Sequence, residues 1–258
     1  MCGKAAVSHL SWKDIYAWAG SLTPPDNLPD DPQTRFNISP SRLRRKSDPA
    51  SMIWETLPIA YFDGRLDVAT SAIWPFLPFW SKGQLPTTKA GKLLSTANAR
   101  LRREDTPFAP TFMTPWNKGH RVVVWVSWFY EFDRRVHPQT PWAVFPLNRP
   151  FWALAGLASF SRDQAGIPQP SVAIITVEPN AVLTSVGHHR SPAILPDDSA
   201  VDQWLHGDKD SALALLQPHA NESMGVEEVP MGIKIPGNEN LELPASLLAT
   251  KNAPQEGR

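Results

Sequence analysis

Residues 121–132, Arg-Val-Val-Val-Trp-Val-Ser-Trp-Phe-Tyr-Glu-Phe, read as one β-strand. Alternation puts Val122, Val124, Val126, Trp128 and Tyr130 on one face and Val123, Trp125, Ser127, Phe129 and Glu131 on the other. Both faces are apolar, so the strand is expected to be buried on both sides. Glu131 ends it, in line with Trp125 and Phe129. A carboxylate held against aromatics and poorly solvated serves as a general acid or base; at the rim of the sheet it would instead pair with Arg134 or Arg135 in water.

The composition agrees with a strand-rich fold. In 258 residues, 42% hydrophobic, there are 11 Trp and 11 Phe, which argues against disorder and for a sizeable core. The 27 prolines are scattered through apolar segments, which favours short strands and irregular connections over long helices. The 25 basic residues balance 25 acidic ones, so any polyanionic partner must be held by a local patch. Two clusters qualify: Arg42, Arg44, Arg45 and Lys46, then Arg100, Arg102 and Arg103. No basic region followed by an apolar run opens the chain, and its longest strongly apolar run is strand-sized, so a cytoplasmic protein without a membrane span is expected, or a nuclear one in a compartmented cell.

Outward from the central strand, residues 8–22 read as a helix, followed by a proline-rich loop to Pro32. Residues 35–41 form a short strand and turn, and residues 52–62 and 66–79 form two strands joined at Asp63-Gly64. The second runs into Trp74-Pro75-Phe76-Leu77-Pro78-Phe79-Trp80, where either tryptophan could be core or could face a stacked base. Residues 93–100 are extended; Asn98 there could cap the next element or orient a reacting group, with Arg100 beside it for a phosphate or carboxylate. Further strands are expected at 142–147, 151–160 and 171–177, then a short helix at 179–186 ending at Gly187. His188 and His189 come directly after, with no recognisable metal-ligand spacing around them. Residues 199–217 are helical, and the chain beyond 236 reads as a polar tail.

The only cysteine is Cys2. It excludes an internal disulfide, and removal of Met1 would leave an amine and a thiol on one residue. With reference pKa values of about 7.7–8.0 and about 8.5, both are partly nucleophilic near neutrality. An amine condenses with an aldehyde to an imine, and a neighbouring thiol closes the imine to a thiazolidine. The alternative is a residue near a frayed terminus.

Taken in order, Met1-Cys2-Gly3, Arg35-Phe36-Asn37-Ile38-Ser39-Pro40, Trp74 with Pro78 and Trp80, Asn98-Ala99-Arg100, Phe129-Tyr130-Glu131-Phe132, and His188-x-Arg190-x-Pro192 resemble the SOS response-associated peptidase (SRAP) family of abasic-site processing proteins. The resemblance implies an α+β fold: a single domain over residues 1–235 with barrel-like antiparallel sheets and peripheral short helices, and a tail from 236 to 258. It implies covalent capture of abasic sites in single-stranded DNA by a monomer, without a cofactor or a metal. Cys2 would form the crosslink, Asn98 would position the sugar or the amine, Glu131 would be the acid/base, and His188 would assist proton transfer. Arg100 and Arg190 would hold phosphates, Trp74 and Trp80 would shape the DNA groove, and Lys4, where the family usually has Arg, and Asn37 belong to the same DNA-contacting set. The peptidase part of the family name implies exposure of Cys2 by removal of the residue before it, and a lyase activity is a further implication. Two other readings stand beside this one. An N-terminal cysteine hydrolase would use Cys2 with His188 on acyl substrates, and a non-catalytic single-strand DNA-binding module would be indifferent to Cys2→Ala.

Overall fold

A computed structural model describes residues 3–44, 52–102, 106–162 and 168–249. Its strands are β1 (Lys4–Val7), β2 (Arg35–Ile38), β3 (Arg42–Arg44), β4 (Met52–Trp54), β5 (Thr56–Phe62), β6 (Asp67–Ile73), β7 (Asn98–Arg100), β8 (Arg121–Val126), β9 (Trp128–Phe132), β10 (Pro141–Pro146), β11 (Trp152–Arg162), β12 (Pro168–Val177), β13 (Ser191–Pro192) and β14 (Met224–Glu228). The helices are short: α1 (Trp12–Trp18), α2 (Pro110–Asn117), α3 (Ala181–Ser185), α4 (Asp198–His206), α5 (Lys209–Ala214) and α6 (Ala245–Ala249). The α+β fold expected from the sequence is the one observed.

Strands β11, β8, β5, β6 and β12 pair in that order, and β12 pairs back onto β11, closing a five-stranded barrel. All its pairings are antiparallel except β6 with β12, which run parallel at Ser171 opposite Ile73. A second sheet has the order β14-β10-β9-β1-β2. Inside the barrel wall, a Cβ on Gly156 would lie 3.0–3.1 Å from methyl groups of Val122, Val124 and Val172, so glycine there lets three valines close together.

The stretch 121–132 is two strands, not one. β8 belongs to the barrel and β9 to the second sheet, and the change falls at Ser127. Ser127 N–H donates to the Ala6 carbonyl at 2.8 Å, and its Oγ accepts from Ser8 N–H at 2.8 Å, so β1 holds the corner. The burial reading holds nonetheless: every residue of 121–131 is buried. Val122–Val126 and Phe129 join the main core, whereas Trp128 and Tyr130 join a smaller cluster with Val229, Ile233 and Leu247.

That smaller cluster corrects the expectation for the C-terminus. Residues 236–249 pack against the second sheet: Leu247 is 1% exposed, and the Glu239 carboxylate accepts from Arg35 Nε at 2.7 Å and from Phe36 N–H at 2.6 Å. Other boundaries also shift. The helix expected over 8–22 is only α1, capped by Ser11, and the region 199–217 divides into α4 and α5, each capped by an aspartate, Asp197 and Asp208. Helix α2, entered at Pro110, was not anticipated. Of the first basic cluster, Arg45 and Lys46 lie outside the described residues, as does Arg103 of the second.

Candidate functional site

The strand alternation that buries Phe129 in the main core sends Glu131 the same way, and its side chain is 1% exposed. A buried carboxylate needs a partner. It is His188, whose Nε2 lies 2.8 Å from Glu131 Oε2 and whose side chain is also 1% exposed. The open alternative, a solvated Glu131 paired with Arg134 or Arg135, is not what forms.

Local sequence puts His188 there. Asn180 caps α3 by accepting from Leu183 N–H. At the other end, Gly187 has φ +75°, its N–H donates to Thr184 O at 3.0 Å, and His188 N–H donates to Leu183 O at 2.9 Å. This is the paired hydrogen-bond pattern of a Schellman cap, and it makes His188 the residue just past the turn. His188 Nδ1 is 2.8 Å from the Arg190 carbonyl. A carbonyl only accepts, so Nδ1 carries a hydrogen. The Nε2···Oε2 contact therefore holds one proton, as carboxylate and imidazolium or as carboxylic acid and imidazole. Such a pair can give a proton to, or take one from, a group reacting beside it.

Strand β1 runs antiparallel to β9 with Lys4 opposite Tyr130, which brings the described start of the chain, Gly3, level with Glu131. Met1 and Cys2 lie outside the described residues. Lys4 and Asn37 are both buried. Lys4 pairs with Tyr130, on the strand face opposite Glu131, and is 7% exposed; its Nζ donates to Asn37 Oδ1 at 2.7 Å. Asn37 Nδ2 donates to the Ile235 and Asn238 carbonyls at 2.7 and 3.0 Å. Burial pushes the Lys4 amine below its usual range, against the opposing pull of Glu55 and Glu239. Through Asn37 the Lys4 ammonium links β1 to the C-terminal segment.

Asn98, half-buried, and Arg100, exposed, lie on β7, which pairs in parallel with β12 so that Arg100 stands opposite Thr176. Arg190 is turned inward at 2% exposure: Nη1 donates to Glu178 at 3.0 Å, and Nη2 donates to Thr176 O and, at 3.5 Å, to Leu101 O. Burial lowers its pKa. Its guanidinium thus fastens the end of β7 to the segment carrying His188. The neighbouring His189 is exposed, and burial together with the positive charges of Arg134 and Arg100 lowers its pKa. The structure accordingly brings Glu131 and His188 into contact and sets Arg100 and Arg134 close enough to His189 for their charges to act on it.

The two tryptophans separate. Trp74 is fully buried, and its indole N–H donates at 3.0 Å to the carbonyl of Ala97, the residue before Asn98. It is core and a prop for β7. Trp80 is 52% exposed, and together with Phe79 and Phe160 it lines a cleft also reached by Lys118 and His120. Trp142, expected from the sequence only as a strand residue, is half-buried and stands directly across the β9–β10 pair from Glu131. Only the hairpin register reveals it. Among the described residues, no three metal-ligating side chains converge and no helix is long and apolar enough to cross a membrane.

The family model for the SOS response associated peptidase (SRAP) matches residues 1–235. A chicken protein named abasic site processing protein HMCES is 30% identical over 152 residues, which are 51% of this chain and 43% of that protein. Abasic site processing protein YoaM of Bacillus subtilis is 28% identical over 175 residues, 66% of this chain and 72% of the relative. The chain thus spans less than half the length of the chicken relative and most of the bacterial one. Among solved structures, a Bordetella bronchiseptica protein superposes with a TM-score of 0.62 at 19% identity, covering 89% of this chain and 100% of its own. A second, from Bacteroides thetaiotaomicron, gives a TM-score of 0.56 at 21% identity over 72% of this chain and 79% of its own. Both likenesses speak to the fold.

Proposed function

The chain belongs to the SOS response associated peptidase family, and we propose that it recognises abasic sites in single-stranded DNA and captures them covalently through Cys2 once Met1 is removed. The observation that carries this reading is the dry Glu131–His188 pair, level with the start of β1. The relatives named abasic site processing proteins support the choice of substrate.

In the proposed reaction the Cys2 α-amine adds to the C1′ aldehyde of the ring-opened sugar, and the carbinolamine loses water to give an imine. The thiol then adds to the imine carbon, closing a thiazolidine and protonating the nitrogen. Aldehyde and aminothiol thus yield thiazolidine and one water. The pair of Glu131 and His188 relays protons to the departing hydroxyl and from the attacking groups. Asn98 orients the sugar or the amine, while Arg100 and Arg134 meet the flanking phosphates. Trp80 offers an exposed stacking face.

The test mixes protein, its N-terminus verified by mass spectrometry, with single-stranded DNA carrying one abasic site, and resolves the product on a denaturing gel. A slow band that requires both the aldehyde and Cys2 is expected. Its absence from a protein beginning at Cys2 overturns the reading and turns attention to acyl substrates.

A further inference from the structure

We propose that Asp133 and Arg135 are positioning residues that hold Glu131 and His188 together by tying the end of β9 to the cap of α3. The inference rests on the proposed role of that pair and extends its machinery to the turn between β9 and β10.

The Schellman cap satisfies the Leu183 and Thr184 carbonyls but leaves that of Ser185. Arg135 Nη2 donates to it at 2.8 Å. The same guanidinium grips Asp133 in a fork, Nε to Oδ1 at 3.0 Å and Nη2 to Oδ2 at 2.8 Å, while Arg135 N–H donates to Oδ1 at 2.9 Å. Asp133 in turn stands two residues past Glu131, and its N–H donates to Thr140 O at 2.9 Å, closing the turn. Its carboxylate lies flat against Gly187: a Cβ there would sit 2.0 Å from Oδ1 and 2.7 Å from Arg135 Nε.

Gly187 is therefore required twice. Its φ of +75° suits the cap, and its missing side chain makes room for the clamp. One chain of contact from β9 towards α3 is the Glu131–His188 hydrogen bond itself, and another is this Asp133–Arg135 clamp on the residues just before His188. The clamp adds to the contacts that the His188 ring makes with Arg190, Glu131 and the His189 ring. Arg135 touches neither reacting group, and its side chain is 59% exposed, so its loss leaves the core intact.

The experiment compares wild type, Arg135→Met, Asp133→Asn and Arg135→Lys. Single-turnover crosslinking across pH is paired with affinity for DNA carrying a non-aldehydic abasic analogue, and with 15N spectra of the imidazoles, which number seven in this chain. Arg135→Met and Asp133→Asn are expected to slow crosslinking by about 10- to 100-fold with an altered pH profile, to leave affinity unchanged, and to shift the His188 ring signals; Arg135→Lys, which still reaches a carbonyl, recovers part of the rate. Wild-type His188 signals in both Arg135→Met and Asp133→Asn overturn the clamp. If wild type itself makes no crosslink, the functional reading falls, and the His188 signals alone decide the clamp.

Discussion

His188 joins Glu131 through a 2.8 Å Nε2···Oε2 contact while its Nδ1 faces the Arg190 carbonyl at 2.8 Å, with both ionisable side chains 1% exposed. One nitrogen of the imidazole is committed to the backbone, so the other shares its proton with the carboxylate. The two side chains form one buried hydrogen-bonded pair whose geometry the fold itself sets.

Glu131→Gln keeps the packing and removes the shared proton. Crosslink formation is expected to fall by about 10²–10⁴-fold with DNA affinity intact, read by single-turnover gels. His188→Ala takes the imidazole away from a buried carboxylate and is expected to cost about 3–5 kcal/mol of stability as well, read by denaturant titration. A His188→Ala protein as stable as wild type contradicts the buried pair.

Lys4 is buried and Arg100 exposed, so the proposed function assigns them different effects on binding. Arg100→Ala is expected to reduce the slope of log affinity against log salt for single-stranded DNA by about 0.7, the release associated with one phosphate contact. Lys4→Met should leave that slope alone and lower stability by about 1–3 kcal/mol, because Asn37 Oδ1 loses a buried donor. Equal salt slopes for wild type and Arg100→Ala would remove Arg100 from the binding surface.

Trp74 and Trp80 should respond oppositely to truncation. Trp74→Ala opens the core and is expected to cost about 3–5 kcal/mol of stability. Trp80→Ala leaves the melting temperature nearly unchanged and weakens binding of single-stranded DNA by about 1–3 kcal/mol if a base stacks there. Fluorescence anisotropy and thermal melts on the same two proteins check both.

His219 is expected to make the fold acid-sensitive. Burial, aided by Arg149, pulls its pKa from 6.5 to about 4. Arg149 Nη2 donates to its Nε2 at 3.3 Å, as suits a neutral ring. Between those two values the unfolded chain binds the extra proton, so stability rises with pH and is lost as pH falls from about 6.5 towards about 4. After allowance for screening by solvent the loss is of order 2 kcal/mol. His219→Gln should flatten that part of the melting temperature against pH curve; a slope equal to wild type would show that other groups dominate.

By itself the sequence determined the kind of fold and the local devices. Alternation in 121–132 showed burial on both faces, because side-chain direction along a strand depends only on position. Gly187 marked the end of α3, because a left-handed residue is needed there whatever surrounds it. The motif order around Asn98, Glu131 and His188 identified the family. Tertiary structure alone decided what those residues touch. Alternation says which face a residue takes but not which sheet covers it, so the corner at Ser127, where β8 leaves the barrel and β9 enters the second sheet, was invisible. The same limit applies to Lys4 with Asn37, to Trp74 as opposed to Trp80, and to Arg190 turned inward. Each outcome depends on registers and packing between segments far apart in the chain, which no local pattern encodes. The clamp of Asp133 and Arg135 on Gly187 is of this kind: its three residues look like an ordinary turn and cap until folding sets them against one another.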